Sequence, residues 1–244
     1  MIIKIDNEQL FNKVKRAVIQ IIKQLSNQQK EKLPPESDLA AQLGVSRTVI
    51  RDVLADLESK GFISRRRGIG TIINKHVLEA TARLDIDQEI NDILIQKGYE
   101  PTVENIHYKK HVADEYTASL LHLNPGEEIL QVEKVICGNG KPAVHIIDRI
   151  PEKLIREPYD VHDFEKSIFD FMKEKCIHQI DTDLSKVKPA KADQRLAKIF
   201  QISEGDLLLF LDEVGYSSGN DPVLWSQEYF HSDIFDFMVF RRKL

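Results

Sequence analysis

From Leu10 to Leu25 the apolar positions Leu10, Phe11, Val14, Val18, Ile21, Ile22 and Leu25 recur at helical spacing and predict an amphipathic first helix. A polar stretch from Ser26 to Lys32 closes it. Two shorter helices are predicted next. In the first, Pro35 suits the opening position, Glu36 and Asp38 suit the positive end of the helix dipole, and Leu39, Ala40 and Leu43 form one apolar face. Gly44 can take the positive φ of a tight turn, and Ser46 is a natural N-cap for the following helix. There Ile50, Val53, Leu54 and Leu57 turn inward, Arg47, Thr48 and Arg51 point outward, and Gly61 ends the helix. Phe62 to Arg67 then reads as a strand, Gly68-Ile69-Gly70 as a tight turn, and Thr71 to Ile73 as the returning strand.

Asn74 to Leu84 reads as a linker ending in a strand, with too little apolar content to dock firmly. Beyond it, Ala113 to Leu121 and Phe164 to Lys175 read as helices. Ile129 to Cys137, Pro142 to Ile150, Leu207 to Gly215 and Val223 to Phe230 read as strands. Asn139-Gly140 is a hairpin turn signal, and a second hairpin is expected at Ser217 to Asp221. The pattern predicts an α+β protein: a winged helix-turn-helix over 1–75, a linker over 76–83, and an antiparallel-sheet domain over 84–244.

Composition agrees with two globular domains: 244 residues, 42% apolar and 30% charged. No apolar run reaches the roughly 18 to 20 residues of a membrane span, and the N-terminus lacks a signal-peptide core. A cytoplasmic protein without membrane partners is therefore expected. Two cysteines, Cys137 and Cys176, give neither a disulfide framework nor a zinc motif. The net charge of −5 is unevenly spread. Residues 1–76 hold 14 Lys+Arg against 8 Asp+Glu, a net of +6, and the remainder holds 20 against 31, a net of −11. A basic nucleic-acid module joined to an acidic partner domain accounts for that split.

The candidate chemistry follows the charge. In a helix-turn-helix the first residues of the second helix meet base edges, so Arg47 and Arg51 are placed to pair with guanine and Thr48 to contact a base or phosphate. Spacing alone fits an ordinary helical hairpin equally well. The run Arg65-Arg66-Arg67 at a hairpin tip favours the nucleic-acid reading, because such a wing reaches phosphates or the minor groove. No P-loop, G-x-S-x-G, HExxH or dinucleotide fingerprint occurs, and the histidines lack metal-ligand spacing. Asp181 and Asp183 read as solvated strand-end residues rather than a catalytic pair. No enzyme, metal or cofactor is expected. His145, Ile147 and Arg149 share one strand face and would suit a small anionic or mixed-polarity ligand, although Arg149 fits a surface ion pair as well. Trp225 reads as core.

Leu33-Pro34-Pro35-Glu36-Ser37-Asp38-Leu39-Ala40, Gly44-Val45-Ser46-Arg47-Thr48-Val49-Ile50-Arg51, Leu57-Glu58-Ser59-Lys60-Gly61-Phe62-Ile63 and Arg67-Gly68-Ile69-Gly70-Thr71 resemble the signature of the GntR family. The resemblance implies DNA contacts at Ser37, Arg47, Thr48, Arg51, Arg67 and Gly68; Ser46, Arg65 and Arg66 join them from the residue reading. Ser37 departs from the arginine usual in that family. Leu123 to Lys134, Asn139-Gly140-Lys141-Pro142, Ile150-Pro151 and Asp221 to Phe230 resemble the UTRA effector domain of HutC-type regulators. That implies a chorismate-lyase-like fold without catalysis and ligand positions at Lys134, Ser167, Phe169 and Tyr229. With His145 and Arg149 these make the candidate effector set. Lys134 and Ile136 stand where sugar-phosphate-binding members carry an Arg-x-Arg pair, and Ile146 replaces a common acidic residue, which argues against a phosphorylated sugar. The expectation is a homodimeric repressor that binds an inverted-repeat operator in double-stranded DNA and is released by a small-molecule effector.

Overall fold

The computed structural model describes residues 7–86 and 88–241, and the chain divides into two compact units, 1–88 with 237–244, and 89–236.

The first unit opens with α1 (Asn7–Asn27), α2 (Glu36–Leu43) and α3 (Arg47–Ser59). Val14, Val18 and Ile22 of α1, Leu39 and Ala40 of α2, and Ile50, Val53, Leu54 and Leu57 of α3 are buried together, as the periodicity requires. Two Schellman endings set the helix directions. After α2, Gly44 (φ +66) and Val45 donate to Ala41 and Ala40; after α3, Gly61 (φ +81) and Phe62 donate to Glu58 and Leu57. Asp56 of α3 binds Lys15 of α1 at 3.0 Å and Lys60 at 2.9 Å. Burial pushes the Asp56 carboxyl up, but Lys60 and Lys15 outweigh it and hold the group below its ordinary range. The hairpin β1 (Ile63–Arg66) and β2 (Gly70–Ile73) follows, with Ile69 N–H donating to Arg66 across a turn whose third residue is Gly68, at φ +77.

The segment expected to be an undocked linker packs against this unit instead. It forms a short helix α4 (Lys75–Leu78) with Val77 buried, and Ala82 is also buried. Arg83, 3% exposed, donates to the Lys60 carbonyl just beyond α3 (2.8 Å) and pairs with Asp85. Its guanidinium lies 5.2 Å from the Phe62 ring centroid and 5.4 Å from that of Phe240. The last described residues join it. Met238 N–H donates to Ala82, Leu84 N–H to Met238, and Phe240 N–H to Asp85. Backbone pairing and one enclosed guanidinium thus supply the attachment that apolar content does not.

The second unit begins with α5 (Ile90–Gln96) and contains a six-stranded antiparallel sheet. Its strands are β3 (Pro101–Val112), β4 (Glu128–Gly138), β5 (Lys141–Pro151), β6 (Thr182–Lys191), β7 (Leu207–Tyr216) and β8 (Pro222–His231), in the order β3-β4-β5-β8-β7-β6. The α+β expectation holds, with the four foreseen strands at the centre. The two outer ones, β3 and β6, were missed. Their Lys109-Lys110 and Lys186-Val187-Lys188-Pro189 stretches carry the lysines and proline typical of sheet edges, which erase an apolar alternation.

The sheet is built from two similar halves. α6 (Glu115–Leu120) follows β3 and α8 (Gln194–Phe200) follows β6, capped by Asp114 and Asp193. Each helix is followed by a non-glycine residue at positive φ (His122, +50; Gln201, +56) and then a glycine (Gly126, +89; Gly205, +91) before its hairpin, β4–β5 or β7–β8. Both helices pack on one face of the sheet: α6 over Ile129 and Trp225, α8 over Leu208 and Tyr229. A 3-10 turn, Val161–Glu165, and α7 (Ile168–Lys175) cover Leu130, Val132 and Ile150 on the other face.

A Cβ at Gly61 would lie 2.5 Å from the Phe240 ring, whereas one at Gly44 meets nothing within 4 Å. Both substitutions must place alanine at positive φ, which costs about 1 kcal/mol. Urea unfolding of the intact chain should therefore show Gly61→Ala more destabilising than Gly44→Ala by at least about 1 kcal/mol. Phe240→Ala should remove most of that excess in a double-mutant cycle.

Candidate nucleic-acid interface and ligand site

α3 presents Arg47, Thr48 and Arg51 to solvent at its N-terminal end, and Ser37 is exposed on α2. Ser46 is exposed too, but its hydroxyl accepts from Val49 N–H at 3.3 Å and serves as the cap. Arg66, Arg67 and Gly68 are exposed at the hairpin tip. Arg65 is placed differently from its neighbours. Glu58 of α3 accepts from its backbone N–H (2.7 Å) and its Nε (2.6 Å), so Arg65 ties the hairpin to the helix. Among the described residues the guanidinium groups of Arg47, Arg51, Arg66 and Arg67 have no partner.

The six candidate effector residues do not converge on one site. Lys134 pairs with Ile146 across β4 and β5, while His145 pairs with Val135 on β4 and with Tyr229 on β8. Alternation then places Lys134 on the face covered by α7, and His145, Arg149 and Tyr229 on the opposite face. Ser167, the α7 N-cap, accepts from Asp170 N–H, and Phe169 is half-buried on α7.

On the His145 face the two halves of the sheet carry matching devices. The buried His145 holds Glu133 of β4 through Nε2 at 2.9 Å, and Trp225 donates from Nε1 to Asp212 of β7 at 2.8 Å. Glu133 also pairs with Arg195 at the start of α8. The Arg149 guanidinium lies 4.0 Å from the centroid of the Trp225 ring and donates to Gln227, so it is held within the fold. Trp225 is buried, as expected of core.

On the α7 face Lys134, 4% exposed, donates to the Phe164 carbonyl (3.0 Å) and the Lys166 carbonyl (2.7 Å). Burial lowers its pKa against the pull of Asp148, Glu228 and Glu89. The sequence reading did not single out Asp148 and Ser226, which are buried and paired across β5 and β8 on this face. An acidic residue inside an otherwise apolar strand, Ile146-Ile147-Asp148, was the available signal. A separate cleft of about 410 Å³ lies at the β4–β5 turn, lined by Tyr99, Asn139, Lys141, Phe200 and His231 among others, and none of the six candidates lines it.

Comparison with known proteins decides the class. The UTRA domain profile matches residues 96–236, and the profile of the bacterial regulatory proteins of the gntR family matches residues 10–73. The chain belongs to the GntR family and carries a UTRA domain. This GntR–UTRA chain is 25% identical to the HTH-type transcriptional repressor NagR of Bacillus subtilis (strain 168), over 92% of its own length and 94% of the relative's. It is also 25% identical to the histidine utilization repressor of Pseudomonas putida, over 88% and 84%. Its fold matches the crystal structure of YydK from Bacillus subtilis subsp. subtilis str. 168 with a TM-score of 0.77 (20% identity; 95% and 99% covered). The chain is thus a transcription regulator rather than an enzyme, of a class that binds DNA and senses small molecules through the UTRA domain. No helix among the described residues is long and apolar enough to cross a membrane.

His145 gives a pH-dependent stability. Burial lowers the imidazole pKa, against an upward pull from Glu133. A lowered folded value means that the stabilisation is complete above the unfolded pKa of about 6.5 and is lost as pH falls through that value toward the folded one. The unfolding free energy of the wild type relative to His145→Gln should therefore shrink steadily between about pH 7.5 and 5.5, measured by urea titration at each pH.

Proposed function

We propose that the chain is a cytoplasmic, homodimeric repressor that grips an inverted-repeat operator with the two copies of α3 and releases it when a small-molecule effector binds the second unit. The observation that carries this reading is the group of four unpartnered arginines, Arg47, Arg51, Arg66 and Arg67, on one helix end and the adjacent hairpin tip. Four cations left without intramolecular partners, in the basic part of an acidic chain, suit a polyanion. In this reading Arg47, Thr48 and Arg51 meet base edges, Arg66 and Arg67 meet phosphate with the Gly68 backbone close by, and Ser37 adds a hydroxyl contact. Arg65 and Ser46 act indirectly, by holding the hairpin and capping α3. One α3 reads only a few base pairs, and a two-fold dimer on a palindrome doubles that reach. The repressor names of two relatives support the sign of the response.

Arg47→Ala and Arg51→Ala should each weaken operator binding by roughly 1 to 3 kcal/mol and relax sequence preference. Arg66→Ala and Arg67→Ala should each lower the slope of log K against log salt by about 1, leaving sequence preference intact. Fluorescence anisotropy on a labelled operator across salt concentrations measures both. Unchanged binding by the Arg47→Ala, Arg51→Ala double variant would move the interface elsewhere, and one protomer per operator would exclude the dimeric arrangement. Effector and operator should also be coupled reciprocally, each changing the other's affinity by the same factor, typically about 5- to 150-fold. Calorimetric titration with and without operator reads that factor.

A further inference from the structure

Six buried side-chain polar atoms among the described residues lack a well-formed hydrogen bond, and three of them fall at one cross-strand pair: both carboxylate oxygens of Asp148 and the hydroxyl of Ser226, which have each other as neighbours and no third polar group in bonding geometry. The pair lies on the α7 face, one step along the ladder from Lys134 and Ile146. Asp148 is 1% exposed. Burying a carboxylate without a hydrogen bond or a close ion pair is costly, so a leftover of this kind in a folded protein points to a missing partner.

Lys134 does not fill that role. It acts on Asp148 through space, but its ammonium donates to the Phe164 and Lys166 carbonyls and is held toward α7. It also faces Glu228, across from Ile146, and Glu89 at the N-terminus of α5. Lys134, committed to two carbonyls, and Arg149, on the opposite face, are the cations that act on Asp148. A phosphate brought to this pair would meet the Asp148 carboxyl directly, with the nearer cation, Lys134, already held by two carbonyls. A neutral hydroxyl would satisfy an oxygen but bring no charge to hold Asp148 in its ionised form.

We propose that Asp148 and Ser226 form the recognition point of the effector site, and that they receive a cationic nitrogen (a protonated amine or an amidine-like group) on a molecule without phosphate. This rests on the reading of the second unit as the sensor, and it adds the chemical class of the effector. The nitrogen donates to Asp148 and Ser226 and supplies the compensating charge, and Lys134 stays where it is, fixing the turn before α7. Burial pushes the Asp148 carboxyl up, so an incoming cation also favours its ionised form.

The test uses the intact chain and a deproteinised bacterial extract, split at pH 7 into cation-exchange-bound, anion-exchange-bound and unbound fractions. The cation-exchange fraction should raise the melting temperature of the wild type by at least about 2 °C and release a labelled operator. Asp148→Asn should melt higher than the wild type without added fraction, because the cost of burying an ionisable carboxyl is gone, and should lose the response. Ser226→Ala, a milder change, should weaken the response if Asp148→Asn folds poorly. Stabilisation by the anion-exchange or unbound fraction alone would overturn the proposal. So would an undiminished response in Asp148→Asn, or in Ser226→Ala where that variant has to stand in. A well-folded Asp148→Asn that melts lower without added fraction would mean that the fold itself satisfies the charge, and would also overturn it. If no fraction stabilises the chain or releases operator, the sensor reading fails, and the proposal fails with it.

Discussion

The antiparallel ladder between β5 and β8 joins the two halves of the sheet, and its register determines which side chains meet. Val144 opposes Phe230, His145 opposes Tyr229 and Arg149 opposes Trp225, around the central pair Ile147 and Gln227. Because side chains alternate with a period of two, a slip of one residue would exchange the two faces and place Asp148 among the groups under α6 and α8. The side-chain contacts that cross this ladder, Arg149 with Gln227 and with the Trp225 ring, and His145 against the Tyr229 ring, oppose such a slip. The ladder therefore serves stability and site chemistry together: it places His145 and Arg149 on one face and Asp148 and Ser226 on the other.

In the first unit the comparable constraint is the end of α3. Asp56 fastens that helix to α1, Glu58 fastens it to the hairpin through Arg65, and the Lys60 carbonyl receives Arg83. These contacts engage the last two turns and leave the first turns, with Arg47, Thr48 and Arg51, facing solvent. Within the first unit, residues 82–86 and 238–240 meet around Arg83, with Met238 bridging Arg83 and Phe240 N–H donating to Asp85. Through Arg83 and the Lys60 carbonyl these segments of the first unit are tied to the end of the helix proposed to read DNA.

Both proposed sites rest on groups short of partners: arginines for a polyanion on the first unit, a carboxylate and hydroxyl for a cation on the second. The costs differ. Exposed arginines are solvated and cost the free protein little, whereas a buried carboxylate does not recover its hydration. A site of the second kind gives up some stability of the empty protein in exchange for a strong preference among ligands by charge.

Local patterns in the chain were enough for the winged helix. Helical spacing, Gly44, Gly61, the Ser46 cap and the three arginines each act within a few residues, so they place α2, α3 and the hairpin without knowledge of the rest. The α+β class and the four central strands were equally legible from apolar runs and Asn139-Gly140. The halves of the sheet left a trace in the repeated Ala-Asp before each helix and Gly-Glu or Gly-Asp after it (Ala113-Asp114, Gly126-Glu127; Ala192-Asp193, Gly205-Asp206), which was not recognised. What the sequence could not decide was register. Lys134, His145 and Tyr229 each point inward from a strand, and only the pairing of Lys134 with Ile146 and of His145 with Val135 separates them onto opposite faces. Nor could local reading foresee that Phe240 would pack beside Arg83 and Gly61, or that Asp148 would be buried opposite Ser226. Those outcomes depend on contacts between residues distant in sequence, and only the assembled fold sets them.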